Sequence, residues 1–227
     1  MSVYEVIRRL PDIAQVHRRC RAMAMLDAIM SPEWLSRCFS FDSAWSLEED
    51  LASMRDGAGN EYSIVFSAAG AWARGFAHES PMSPYRVTPV RLWPGLVDGV
   101  PEPFRPMTQE PSFSELDGTL LATVCFWREP GDASWSCGPV EPPGGQDEDA
   151  DGARLLFDVL VDGRPEAYRD FAERHHRVTV ELDAVQHVYR LAPLTAAVVA
   201  VLNPALGLAD VEEDMRAIGY PVASMTS

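Results

Sequence analysis

Residues 60–76, Asn60-Glu61-Tyr62-Ser63-Ile64-Val65-Phe66-Ser67-Ala68-Ala69-Gly70-Ala71-Trp72-Ala73-Arg74-Gly75-Phe76, decide the fold class. Tyr62, Ile64 and Phe66, then Trp72, Arg74 and Phe76, recur at every second position on either side of Ala68-Ala69-Gly70. Two strands joined by a tight turn have this period. A turn centred on Ala69 pairs Phe66 with Trp72 and Tyr62 with Phe76, aromatic contacts that favour such a hairpin.

A second hairpin is expected downstream, where Leu120 to Trp127 and Trp135 to Val140 flank Pro130-Gly131-Asp132. Centring it on Gly131 pairs Trp127 with Trp135 and Cys125 with Cys137. Two thiols are too few to hold a metal, so this face is expected to be packed core. Between the hairpins, residues 77–118 are proline-rich and aperiodic. They predict a long ordered loop with short helices near Gly95 to Val100 and Glu102 to Gln109, the kind of segment that often carries function.

Both flanks are helical. Ahead of the first hairpin, Pro11 opens a helix in which Ile13, Val16, Cys20, Met23, Asp27 and Met30 share a face, apolar except for Asp27. Ser31-Pro32-Glu33-Trp34 predicts a short restart. Ser46-Leu47-Glu48-Glu49 has the spacing of a capping box and predicts a two-turn helix stopped by Gly57. Residues 141–153 are acidic and of low complexity, and are expected to form a tether or loop. Helices follow from Arg154, through Pro165 to His176, around Leu182 to Tyr189, over Leu194 to Leu202 and from Leu208 to Ile218 before Gly219. The fold class expected is α+β, an antiparallel sheet of at least four strands packed with N-terminal helices and a helical C-terminal half. One domain over 1–227 is expected, divisible into 1–140, the acidic loop 141–153 and the helical part 154–227.

Composition excludes several functions. All 19 basic residues are arginine, so there is no lysine to form a Schiff base, hold pyridoxal phosphate or serve a P-loop. Thirty-four acidic residues give a net charge of −15, which disfavours nucleic acid and anionic membrane as partners and favours basic ones. The first 21 residues run the other way, with five arginines against two acids, as a basic helix that either packs on the acidic remainder or is solvated. No apolar run is long enough for a membrane span or a signal peptide, so a cytoplasmic protein with reduced cysteines is expected. Gly57-Ala58-Gly59 lacks the third glycine of a dinucleotide loop, and no cofactor is expected.

Candidate chemistry is densest at His78-Glu79-Ser80, just after a strand end. A hydrolytic reading has His78 activating Ser80, with Glu79 or Asp98 orienting the imidazole. Against it, Pro81 breaks the extended chain and no G-x-S-x-G elbow is present. The alternative is a binding surface made by His78, Glu79, Met82, Tyr85 and Trp93 with the acids Asp147, Glu148 and Asp149. Trp93, in the proline-bounded run before Pro94-Gly95, is the tryptophan singled out as an interface anchor. His175, His176 and His187 lack the companion ligands of a zinc site, so no metal is expected, and His175 is expected to pack beside Tyr168 and Phe171.

Gly59-Asn60-Glu61-Tyr62 with Ile64-Val65-Phe66-Ser67, Gly75-Phe76 with His78-Glu79-Ser80 and Met82-Ser83-Pro84, and Trp93-Pro94-Gly95 with Asp98 and Val100-Pro101 resemble an uncharacterised family of bacterial proteins. The similarity extends through Phe126-Trp127-Arg128, Pro165-Glu166-Ala167-Tyr168, Pro193-Leu194-Thr195 and Ile218-Gly219-Tyr220-Pro221, from about residue 40 onward. In size and gene setting that family is similar to the immunity proteins that neutralise secreted bacterial toxins. The resemblance implies a non-enzymatic protein that binds a basic protein partner. A small hydrolase or metal-dependent enzyme built on His78 and Glu79, and a scaffold that self-associates through its basic helix, are the alternatives.

Overall fold

The computed structural model describes residues 1–143 and 149–222. Its centre is an antiparallel sheet of six strands in sequence order, β1 (Phe39–Ser46), β2 (Glu49–Arg55), β3 (Glu61–Ser67), β4 (Gly70–Phe76), β5 (Val124–Arg128) and β6 (Ser136–Cys137). Two N-terminal helices, α1 (Val3–Arg9) and α2 (Ile13–Met30), precede it. Five follow: α3 (Ala153–Asp162), α4 (Pro165–His176), α5 (Leu182–Tyr189), α6 (Ala196–Leu202) and α7 (Glu212–Ile218). The architecture is α+β. No helix among the described residues is long and apolar enough to cross a membrane.

Alternation within the strands creates two cores. Phe39, Phe41, Met54, Tyr62, Ile64, Phe66 and Phe126 face the helices, while Val65, Trp72, Cys125 and Trp127 face the other way. The proline-rich segment covers that second face with Met82, Leu96, Val100, Phe104, Phe113 and Leu120. It is therefore a packed layer of the fold rather than a free loop. At the β1–β2 edge the cover is partial: Trp45 and Leu51 pack against it, while Asp42 and Arg55 are exposed.

Three expectations are corrected. The Ser46-x-x-Glu49 motif does not cap a helix; it closes the β1–β2 turn, where the Ser46 hydroxyl donates to the Glu49 carboxylate at 2.9 Å. Pairing with β3 overrides the local helix signal, and Gly57 takes its left-handed conformation in the β2–β3 turn instead. The first hairpin turns on Ala68-Ala69, one residue off the predicted centre, so Val65 pairs with Trp72 and Phe66 with Ala71. The second pairs Trp127 with Ser136 and Phe126 with Cys137. A one-residue slip exchanges faces, so Cys125 and Cys137 lie on opposite sides of the sheet and Trp135 joins the helix-side core. There its indole N–H donates to the carbonyl of Pro11 at 2.6 Å. Pro11 itself lies just outside α2, whose cap is Asp12.

Close backbone approach explains Gly75. A Cβ there would stand 2.8 Å from Leu156 Cδ1 and 2.9 Å from Phe157 Cε2, so its absence lets α3 lie directly on β4. The basic start of the chain docks through its arginines. Arg19 donates to the carbonyls of Leu160 and Val161 in the last turn of α3, Arg18 to that of Arg190 after α5, and Arg21 to that of Ile218 at the end of α7. Each guanidinium meets unpaired carbonyls at the negative end of a helix.

Asp27, the single polar position on the apolar face of α2, is fully buried. Its carboxyl oxygens accept the amides of Cys38 at 2.7 Å and Phe39 at 2.8 Å and the Tyr168 hydroxyl at 2.7 Å. Removing the acceptor strands three buried donors, each costing roughly 1–3 kcal/mol. Asp27→Ala is expected to destabilise the fold by at least about 3 kcal/mol and Tyr168→Phe by about 1–2 kcal/mol in urea unfolding. A loss under about 1 kcal/mol for Asp27→Ala would contradict this account. Gly75→Ala is expected to lose about 1–3 kcal/mol by overpacking against α3.

Candidate functional site

β4 delivers His78 and Glu79 to one end of the sheet, where the loop ties their polar atoms together. The His78 amide donates to Asn60 Oδ1 at 2.9 Å, and its ring Nδ1 lies 2.7 Å from Glu79 Oε1. Arg86 grips the same turn, donating to the carbonyls of Glu79 and Ser80 and to the Glu79 carboxylate at 3.1 Å. The His78 hydrogen bond, then its charge, then Arg86 hold the Glu79 carboxyl below its ordinary range. Ser80 is buried; its hydroxyl donates to the Ala150 carbonyl at 2.7 Å and accepts the Met82 amide at 2.9 Å. Among the described residues no hydrogen bond joins His78 to Ser80 or to Asp98, which sits in the separate 95–99 turn. Among the described residues the structure thus brings together His78, Glu79 and Tyr85, but does not join His78 to the Ser80 hydroxyl as base to nucleophile.

The remaining predicted surface residues divide. Met82 is not presented to solvent: at 1% exposure it is a core residue beneath the loop, because Ser80 turns the chain inward. Trp93 is half-buried, its indole N–H donating to the Glu141 carbonyl at 2.9 Å, so it fastens the covering layer to the sheet. Asp149 accepts the Arg154 amide at 2.7 Å at the start of α3. Asp147 and Glu148 lie outside the described residues. Tyr85 is exposed and donates its hydroxyl to Glu115, whose carboxylate pushes the phenol up to about 12. His175 stacks on Phe171 at 5.2 Å. No three His, Cys, Asp or Glu side chains among the described residues are grouped to hold a metal ion.

The short restart expected at Ser31 to Trp34 is present as the turn Trp34–Ser36 between α2 and β1, and what sequence reading missed is the exposure of its side chains. Trp34 is 56% exposed and Leu35 90%. The turn is firmly held: Arg37 donates to the carbonyls of Ser31 and Pro32 and, through both terminal nitrogens, to the Asp214 carboxylate at 2.5 and 3.0 Å. Trp34 lines two depressions. One, of about 320 Å³, also includes Leu35, Cys38, Arg55, Asp56 and His175. The other, of about 460 Å³, is bounded by Phe39, Phe41 and the acids Asp210, Glu213 and Asp214. The available signal was adjacency, since one short turn cannot bury two consecutive bulky apolar side chains.

No protein-family model, curated protein or solved structure matches the chain.

Titration of the Tyr85 phenol tests the loop geometry. Phenolate absorbance is expected to develop at about 12 for Tyr85 and to move back toward the ordinary 10.0 in Glu115→Gln. Because the raised phenol gives up its proton more readily in the unfolded chain, its contribution to stability holds below pH 10 and is lost above it. An unshifted Tyr85 in the wild type would mean that the Glu115 hydrogen bond is not made in solution.

Proposed function

We propose that the protein is a non-enzymatic binding protein whose partner is a basic protein, in the manner of an immunity protein that neutralises a toxin, and that the partner docks on the Trp34–Leu35 turn. One observation carries the reading: a tryptophan and a leucine stand in solvent on a turn locked by the Arg37 fork. Burying a leucine-sized side chain is worth about 1.5–3 kcal/mol, a gain that the free protein forgoes at Leu35 and that docking of a partner would recover. Tryptophan is the side chain most enriched at binding hot spots, and a turn already held in place loses little entropy on docking.

Charge supports a basic partner. The net −15 accelerates encounter with a cation-rich surface, and the depression on one side of Trp34 is bounded by three acids. Glu213 among them is exposed and makes no ion pair among the described residues, which suits it to meet a partner's cation. The hydrolytic alternative gains nothing comparable, because His78 pairs with Glu79, Glu79 with Arg86, and the Ser80 hydroxyl with the Ala150 carbonyl.

The test is retention of a basic protein by the tagged chain from bacterial lysate and medium, washed at low salt and then at about 0.5 M, where exposed charge is screened. The wild type is expected to keep the partner through both washes. Trp34→Ala with Leu35→Ala is expected to lose it at least about tenfold, and His78→Ala to keep it. Equal retention by the double variant, or loss confined to His78→Ala, would overturn the assignment.

A further inference from the structure

We propose that the cleft on the β2 side of Trp34 is a binding site for a small planar aromatic carboxylate, held by Arg55 and stacked on the Trp34 indole. This inference shares Trp34 with the docking surface above but does not rest on it. At about 320 Å³ the cleft lies at the lower end of the range for small-ligand sites, and its lining sets the apolar Trp34, Leu35 and Cys38 beside polar side chains that include Arg55 and His175.

Arg55 is the underpaired cation. It is 62% exposed at the end of β2, and its nearest carboxylate, Glu61, is 3.9 Å away and already bound to Arg74 at 2.6 Å. Arg37, which also lines the cleft, is neutralised by Asp214. Asp56 turns its carboxylate into its own turn, where it accepts the amides of Ala58 and Asn60 and the Asn60 side chain. One weakly paired guanidinium matches one negative charge, in the planar bidentate geometry that carboxylates favour. That guanidinium stands over the Trp34 ring, 5.8 Å from its centre. A carboxylate paired with Arg55 therefore brings its attached ring against the indole and Leu35. His175 lines the same cleft, its ring nitrogens unpartnered among the described residues, and supplies a second donor.

The probe is 2-naphthoate, compared with its uncharged analogue 2-naphthalenemethanol and followed through the indole N–H signals of the six tryptophans. Naphthoate is expected to shift the signal that disappears in Trp34→Phe. Arg55→Gln is expected to weaken binding at least about tenfold, as is replacing naphthoate by the alcohol, since each removes a charge-assisted hydrogen bond. Arg55 is exposed, so its variant keeps the fold, and partner retention by Arg55→Gln stays at the wild-type level. The proposal is overturned by no shift at millimolar naphthoate, by equal binding of the alcohol, or by wild-type binding in Arg55→Gln.

Discussion

The Asp27 carboxyl group is the interaction on which the rest of the arrangement depends. From the last turn of α2 it takes the first two amides of the β1 segment and the hydroxyl of Tyr168 on α4, joining three elements that are distant in sequence. The same residue's carbonyl accepts the amide of Ser31, where α2 ends. Residues 31–38 are thus fastened to Asp27 at both ends, and Arg37 closes the span by reaching Asp214 on α7. The exposure of Trp34 and Leu35 follows from this: the turn is too short and too constrained to fold its side chains back onto the core. Buried polar groups of this kind fix one geometry through matched donors and acceptors, as in the three bonds to the Asp27 carboxyl group.

Helical segments were legible in the sequence because their signals are local. Gly219 stops α7, Asn203-Pro204 ends α6 and Pro165 begins α4, each as read from spacing and caps. The sheet was legible in class but not in register. β3, β4 and β5 are covered on both faces, so Val65 and Trp72 are as apolar as Tyr62 and Phe66, and in β4 and β5 apolar residues stand on both sides. Register then depends on turn geometry, where a single residue decides. β1 and β2 were hidden for a different reason. The motif that closes their turn is chemically the motif that opens a helix, and only pairing with β3 distinguishes the two.

The site was harder to read than the fold. His78, Glu79 and Ser80 attract attention as titratable or nucleophilic groups, yet such groups are equally suited to tying a loop to its neighbours, which is what they do here. Trp93 carried the right side chain, but the second core absorbs it. Trp34 and Leu35 carry no reactive atom; their significance lies in exposure, which depends on distant partners such as Asp214. A binding surface is defined by what the fold leaves uncovered, and that becomes visible only once the covering elements are placed.

The distribution of charge completes the argument. Arg18, Arg19 and Arg21 are directed inward to carbonyls at helix ends, and Arg74 is buried against Glu61 and the Phe113 ring. A guanidinium suits these positions because its fork reaches two acceptors at once, as Arg19 does with Leu160 and Val161; a lysine ammonium has no such geometry. Assigning arginines to these contacts leaves the carboxylates to dominate the long-range field, which attracts cations. Arg55 is a local exception, exposed and incompletely paired. Trp34 therefore stands on a boundary, with acids on the α7 side and an incompletely paired cation on the β2 side. One aromatic ridge thus borders two neighbouring surfaces of opposite charge, and in the proposed reading the chemistry of each is set by those flanking charges rather than by the indole they share.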